Sequence, residues 1–172
     1  MENIVVVQAS VECVARLQGI ATRTFLEAFA SSNAEESMSA YMEKAFSTEK
    51  LLSELNHVDS KFYFAIVDKE VIGYLKVNTG IAQTEPLDER ALEIERIYVL
   101  AEYHGKKVGQ ILYEKALSVA EALNASYVWL GVWEENKKAI RFYEKNGFVA
   151  FDQHLFKLGD EEQTDILMKK LI

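Results

Sequence analysis

The stretch Gly105-Lys106-Lys107-Val108-Gly109-Gln110 sets two glycines around two lysines at the start of an apolar helical pattern. Such a combination can hold an anion. The first N–H groups of a helix lack internal partners, and the helix dipole is positive there. Glycine lets a ligand approach the backbone, and lysine adds charge. A phosphate or pyrophosphate suits the loop; a solvated basic turn between a strand and a helix suits it about equally well. The Gly-Lys-Ser/Thr ending of a P-loop is missing, and so is the three-glycine spacing of a dinucleotide fingerprint.

The flanking elements follow from periodicity. Ala91 to Leu100 is rich in Leu, Ile, Tyr and Val and reads as a strand. Val108, Ile111, Leu112, Ala116, Val119 and Leu123 recur at helical spacing. Upstream, Asn3 to Gln8 predicts a first strand, and Ser10 an N-cap for a helix reaching about Ala30. Ser31-Ser32 breaks that pattern. Asn33 with Glu36 three residues on predicts a capping box for a second helix, and Ser47-Thr48 a cap for a short third.

Lys61–Val67 and Val71–Thr79 predict a hairpin turning at Asp68-Lys69-Glu70. A polar loop with the only proline, Pro86, leads to the Ala91 strand. After the central helix come a strand over Ser126–Val132, a helix over Asn136–Asn146 with Gly147 as its cap, and strands over Phe148–Leu158 and Gln163–Leu171. An acidic turn, Gly159-Asp160-Glu161-Glu162, joins the last two. The order implies an α/β (α+β) domain over 1–172: a mixed central sheet of six to seven strands with helices on both faces.

Composition excludes several function classes. The chain has 172 residues, 49% of them hydrophobic, enough for a real core in one domain. No run reaches the roughly 18 apolar residues of a membrane span. The first residues, Met-Glu-Asn-Ile-Val-Val-Val-Gln, do not read as a signal peptide, so a cytoplasmic location is expected. The single cysteine, Cys13, forms no internal disulfide and reads as a core residue. His57, His104 and His154 are scattered, which argues against a metal site. A formal charge of −8 argues against sequence-independent nucleic-acid binding and favours cationic ligands.

One string adds specificity: Asn136-Lys137-Lys138-Ala139-Ile140-Arg141-Phe142-Tyr143-Glu144-Lys145-Asn146-Gly147-Phe148. With the basic loop one helix and one strand before it, this pattern resembles the Gcn5-related N-acetyltransferases from about Lys61 to the C-terminus. The front segment, with Thr24 to Phe29, Asn33, Glu35-Glu36, Met38 and Tyr41, is similar to the PaiA-type spermine/spermidine branch. One departure stands out. The family loop usually reads Arg/Gln-x-x-Gly-x-Gly/Ala, and here His104 and Lys107 replace the first two of its conserved types. Lys107 must either sit where the backbone does not require glycine or distort the loop.

The resemblance implies acetyl-coenzyme A as co-substrate and a primary amine as acceptor, a polyamine such as spermidine or spermine first among them. Acetyl transfer would run by direct attack in a ternary complex. The diphosphate would lie on Gly105, Lys106, Lys107, Val108, Gly109 and Gln110, and the pantetheine arm along the backbone edge of Ile97, Tyr98 and Val99. Asn136 and Lys145 are candidate cofactor contacts. Tyr143 is the candidate acid for the leaving thiolate. An alkylammonium has a pKa of roughly 10, so a proton must leave before attack. Glu95 is the first candidate to receive it, with Glu93 as the second and as a substrate contact. Glu27 and Glu35 are candidates for holding a polycation's distal charges, with Glu36 behind them because of its capping role. Other expectations are a protein N-terminus, a lysine or an antibiotic amine as acceptor, or an acyl-coenzyme A sensor without turnover. Members of the family are often dimers, which makes a homodimer one expectation about assembly.

Overall fold

The computed structural model describes residues 3–85, 88–158 and 160–172. Pro86 and Gly159, both placed in polar turns by the sequence, lie outside the described residues. Among the described residues the chain forms seven strands and five α-helices. In chain order they are β1 (Val5–Gln8), α1 (Val14–Phe29), α2 (Glu35–Ala45), α3 (Thr48–Asn56), β2 (Ser60–Val67), β3 (Glu70–Asn78) and β4 (Ala91–Val99). Then come α4 (Val108–Ala122), β5 (Tyr127–Trp133), α5 (Lys137–Lys145), β6 (Val149–Leu158) and β7 (Glu161–Leu171).

One sheet holds all seven strands in the order β1-β2-β3-β4-β5-β7-β6. Every neighbouring pair is antiparallel except β4 and β5. A parallel neighbour needs a crossover, and α4 supplies it. The hairpin of β2 and β3 turns through Asp68 and Lys69, both left-handed at φ 49 and 71, as two-residue hairpin turns require.

Alternation along the strands divides the core between two helical layers. Phe62, Phe64 and Tyr74 face α1 and α3, where Leu17, Ile20, Phe25 and Leu51 are buried. Tyr63, Leu75 and Gly73 face α4, whose Leu112 lies 3.4 Å from a Cβ built on Gly73. Helices therefore cover both faces of a mixed sheet.

Several helix ends differ from the sequence expectation. Ser10 caps nothing with its side chain, because a 3-10 turn over Val11–Cys13 comes before α1. Cys13 is half-buried in that turn. The expected Asn33/Glu36 capping box does not form, and Ala34 is the N-cap of α2. Asn33 instead donates to the Phe29 carbonyl at 3.1 Å and accepts from Gln163 at 2.6 Å. The missing cap comes from across the fold: Glu161 accepts from the Ala34 N–H at 3.0 Å. Ser47 does cap α3, accepting from the Lys50 N–H at 3.2 Å.

Candidate active site

The sheet opens where β4 and β5 part. Their pairing runs from Ala91–Tyr127 to Ile94–Leu130 and stops there, although β4 continues to Val99 and β5 to Trp133. On the other side of β4, Lys76 pairs with Arg96 and Val77 with Ile94, so Glu95 is an extra residue in the ladder. A bulge bends its strand. The bulge at Glu95 and the end of β4–β5 pairing coincide, leaving the backbone of Glu95–Val99 without a β5 partner. The Ile97 and Val99 side chains pack against the core.

The basic loop stands at the far end of this gap. Val108, Gly109 and Gln110 open α4, and the first i to i−4 bond is Ile111 to Lys107. Their N–H groups are thus unused by the helix. Lys106 spends its N–H on the Tyr103 carbonyl at 3.3 Å. Gly105 is left-handed at φ 81, and a Cβ on Gly105 or Gly109 would meet nothing within 4 Å. That open space beside free N–H groups and two exposed lysines fits a diphosphate.

Lys107 resolves the departure noted in the sequence. It is left-handed, at φ 65 and ψ 15, so a lysine occupies a conformation that favours glycine. His104 folds back, its Nε2 2.8 Å from the Val99 carbonyl oxygen.

α5 packs beside α4, with Phe142 edge-on to Tyr113 at 6.0 Å between ring centroids. Asn136 accepts from the Ala139 N–H at 3.2 Å and so caps α5. Gly147, left-handed at φ 94, ends it. Tyr143 is buried between Phe142 and Phe148, with ring centroids 5.4 and 5.6 Å away. Burial pushes its phenol well above the usual range, so it stays protonated at neutral pH. On β4, Tyr98 lies beside Tyr74 with ring centroids 6.2 Å apart, and burial likewise raises its phenol. Lys145 is exposed. Asn146, which the sequence reading overlooked, accepts from Gln110 Nε2 at 3.4 Å and ties the end of α5 to the start of α4.

The opposite face carries an ion network. Lys76 reaches Glu95 at 2.7 Å and Glu54 at 3.1 Å; Arg96 reaches Glu54 at 3.2 Å and Glu95 at 3.3 Å. Asn78 donates to both Glu95, at 2.8 Å, and Glu93, at 3.0 Å, as expected for carboxylates on one strand face. Burial works against charge on Glu95, but Arg96 and Lys76 outweigh it and hold the carboxyl below the usual range. A carboxylate held so is a weak proton acceptor. Glu93 is 3% exposed and accepts from the Thr84 N–H at 2.8 Å and from the Thr84 hydroxyl. Burial raises its pKa. Glu93 thus pins the 80–85 loop to the sheet.

A cavity of about 490 Å³ lies over this network, between α2, α3 and the 80–85 loop. Glu95, Arg96 and Tyr41 line its inner end, and Lys44 and Lys50 are among its lining residues. Glu27 stands elsewhere: it accepts from the Ala101 N–H at 2.8 Å, while Arg23 reaches Glu102 at 2.9 Å. Both contacts brace α1 against the turn that follows β4. Glu35 and Glu36 are exposed and, with Glu43, line a shallow depression on α2. Among the described residues no cluster suited to a metal ion occurs, and no helix is long and apolar enough to cross a membrane.

Residues 15–148 match the model of the Acetyltransferase (GNAT) family. The chain belongs to this family. A GNAT domain transfers acetyl groups to amines, and acetyl-coenzyme A is its co-substrate. Across all 172 residues, which is 99% of the relative's length, the chain is 39% identical to an uncharacterized N-acetyltransferase of Lactobacillus delbrueckii subsp. lactis. It is 27% identical to a spermidine N(1)-acetyltransferase of Thermoplasma acidophilum, covering 94% of this chain and 92% of the other. The crystal structure of PaiA N-acetyltransferase from Thermoplasma acidophilum in complex with coenzyme A superposes with a TM-score of 0.81, at 25% identity and 99% coverage of both chains.

Proposed function

We propose that this GNAT acetylates a small primary amine by direct attack on the thioester, with a polyamine such as spermidine as the acceptor. Three observations support the reading: the open β4 edge beyond Ile94, the free N–H groups that open α4, and the buried, protonated phenol of Tyr143. The diphosphate sits on Gly105 and on Val108 to Gln110, with Lys106 and Lys107 adding charge. The pantetheine arm pairs with the backbone of Ile97 to Val99, and a backbone N–H there polarises the thioester carbonyl. Tyr143 donates to the sulfur as the C–S bond breaks. Lys145 reaches the nucleotide end. Asn136, busy as a cap, acts by orienting α5.

The polyamine draws on the spermidine-acetylating relative and on Glu35, Glu36 and Glu43, which offer distal ammonium groups an acidic track along α2. Glu27 supports the site by holding the Ala101 turn. A second reading has its own observation: Lys44 and Lys50 beside the cavity favour an acceptor that also carries a carboxylate, such as an amino acid or a peptide N-terminus.

Thiol release from acetyl-coenzyme A over a panel of polyamines, monoamines and amino acids, with the products identified by mass, tests both. Turnover highest with spermidine supports the first reading, and turnover highest with amino acids supports the second. Tyr143→Phe is expected to lower kcat about 100-fold with coenzyme A affinity unchanged. Full activity in that variant would remove Tyr143 from the reaction.

A further inference from the structure

One carboxylate at the mouth of the gap serves neither the ion network nor the 80–85 loop. Asp165 stands on β7 opposite Trp133 of β5. Two residues before Trp133 is Gly131, the first residue past the last β4–β5 pair. A Cβ built on Gly131 would lie 3.6 Å from Asp165 Oδ2. The carboxylate therefore lies over a glycine, and that glycine leaves the space beside the gap free of a β5 side chain. Asp165 is on the same face as Trp133, which packs on Phe29 of α1, so it looks toward the side of the sheet that holds the cavity.

From β6, His154 places Nε2 3.8 Å from Asp165 Oδ2. From the loop before β4, Glu85 Oε1 lies 2.7 Å from the other ring nitrogen, Nδ1. From α2 comes the Tyr41 phenol, which burial chiefly raises, Arg96 lowers and the Asp165 charge raises slightly further. From β5 come only Gly131 and Trp133, which are uncharged. Burial holds the Asp165 carboxyl above the usual carboxylate range, with His154 pulling against it. Its basicity thus departs from normal in the opposite direction to that of Glu95.

Resting on the proposed acetyl transfer, we infer that Asp165 takes the proton from the acceptor's ammonium, and that His154 and Glu85 pass it to solvent. The path leads outward from a side chain 20% exposed to two that are 34% and 31% exposed. Neither contact of the imidazole is an aligned hydrogen bond: the 3.8 Å step is too long, and Nδ1 has no hydrogen-bond partner although Glu85 approaches to 2.7 Å; a turn of the ring, with one water at the longer step, brings both into line. The atoms balance. The ammonium loses one proton to Asp165, and its nitrogen lone pair forms the N–C bond. The C–S bond breaks, its electron pair stays on sulfur, and Tyr143 protonates that sulfur. The nitrogen's second proton restores the Tyr143 hydroxyl. One proton leaves through His154 per turnover.

The test is kcat/KM against pH for the unaltered protein, Asp165→Asn, His154→Gln and Glu95→Gln, with the preferred alkylamine and with methoxyamine, whose nitrogen is mostly unprotonated at neutral pH. Asp165→Asn is expected to lose about 100-fold with the alkylamine at pH 7. The loss should shrink to a few-fold near pH 10, where the amine sheds its proton unaided. With methoxyamine the loss should be a few-fold at every pH, and coenzyme A affinity should not change, which also shows that the variant folds. His154→Gln should show a smaller loss of the same pH form. Three results would overturn the inference: full activity of Asp165→Asn at pH 7, an equal loss at both pH values and with both amines, or the pH-linked loss appearing in Glu95→Gln instead. If the unaltered protein turned over no amine, the proposed function would fail and take this inference with it.

Discussion

Lys107 shows most sharply how a single residue can be tuned against itself. Its left-handed backbone disfavours a side chain by roughly 1 to 2 kcal/mol, and glycine would relieve that. Its exposed ammonium stands at the opening of α4, where a diphosphate gains from added positive charge. Strain and ligand charge therefore pull the position in opposite directions. Lys107→Gly is expected to raise Tm by about 2 °C, part of the relief being offset by the extra freedom of glycine in the unfolded chain. The same change should weaken coenzyme A about 3-fold. Lys107→Ala keeps the strain and loses the charge, so it should weaken coenzyme A alike without raising Tm. Calorimetric melting and a binding titration on the two variants read the terms separately, and a fall in Tm on Lys107→Gly would show that the conformation carries no strain. The loop's two glycines and two lysines were legible in the sequence as a candidate anion site, but the backbone angle of Lys107 was not, since nothing local distinguishes a tolerated left-handed lysine from an ordinary one.

At the scale of elements, α3 is fastened to β3 and β4 through charge. Glu54 on α3 accepts from both Lys76 and Arg96, whose side chains are 6% and 10% exposed. Removing one partner from a buried network strands the others, at a cost of about 3 kcal/mol or more. Glu54→Ala is therefore expected to lower Tm by roughly 6 to 12 °C for a chain of this length. Lys50→Ala removes an exposed ammonium 4.0 Å from Glu54 and should shift Tm by about 2 °C or less. If the two variants melt together, the network contributes nothing beyond surface charge. The elements themselves follow from local signals: alternation marks the strands, 3.6-residue spacing the helices, Ser47 a cap. What escaped the sequence was set by partners far along the chain. The cap of α2 comes from Glu161, 127 residues away. Asn78 holds Glu93 and Glu95 together, and the tie from Gln110 to Asn146 joins two helices. His154 and Asp165 face each other only because β6 and β7 are antiparallel. Spacing in the sequence carries no trace of such meetings.

For the whole molecule, the split in the sheet has a mechanical consequence. β1 to β4 form one half and β5 to β7 the other, and between them only four residue pairs, Ala91–Tyr127 to Ile94–Leu130, remain in register. Packing of α4 on β3, β4 and β5, the ties of Glu161 and Gln163 to the start of α2, and Phe29 against Trp133 join them elsewhere. A coenzyme A molecule lying along β4 with its diphosphate on α4 and its nucleotide end at α5 would touch both halves and staple the opening. Binding to the folded chain alone at 100 times Kd adds about 2.7 kcal/mol. That should raise Tm by roughly 5 to 10 °C. The chain's net charge of −8 makes the local lysines the main attraction for a polyanion, so the shift should shrink as salt rises past about 0.15 M. Hydrogen exchange gives the spatial test. Coenzyme A should slow the amides of Glu95–Val99, Gly131–Trp133 and the first turn of α4 most, and those of β1 and β2 least. Protection confined to the loop at 105–110, with Tm unmoved, would mean that the ligand grips one end of the gap and leaves the two halves of the sheet unjoined.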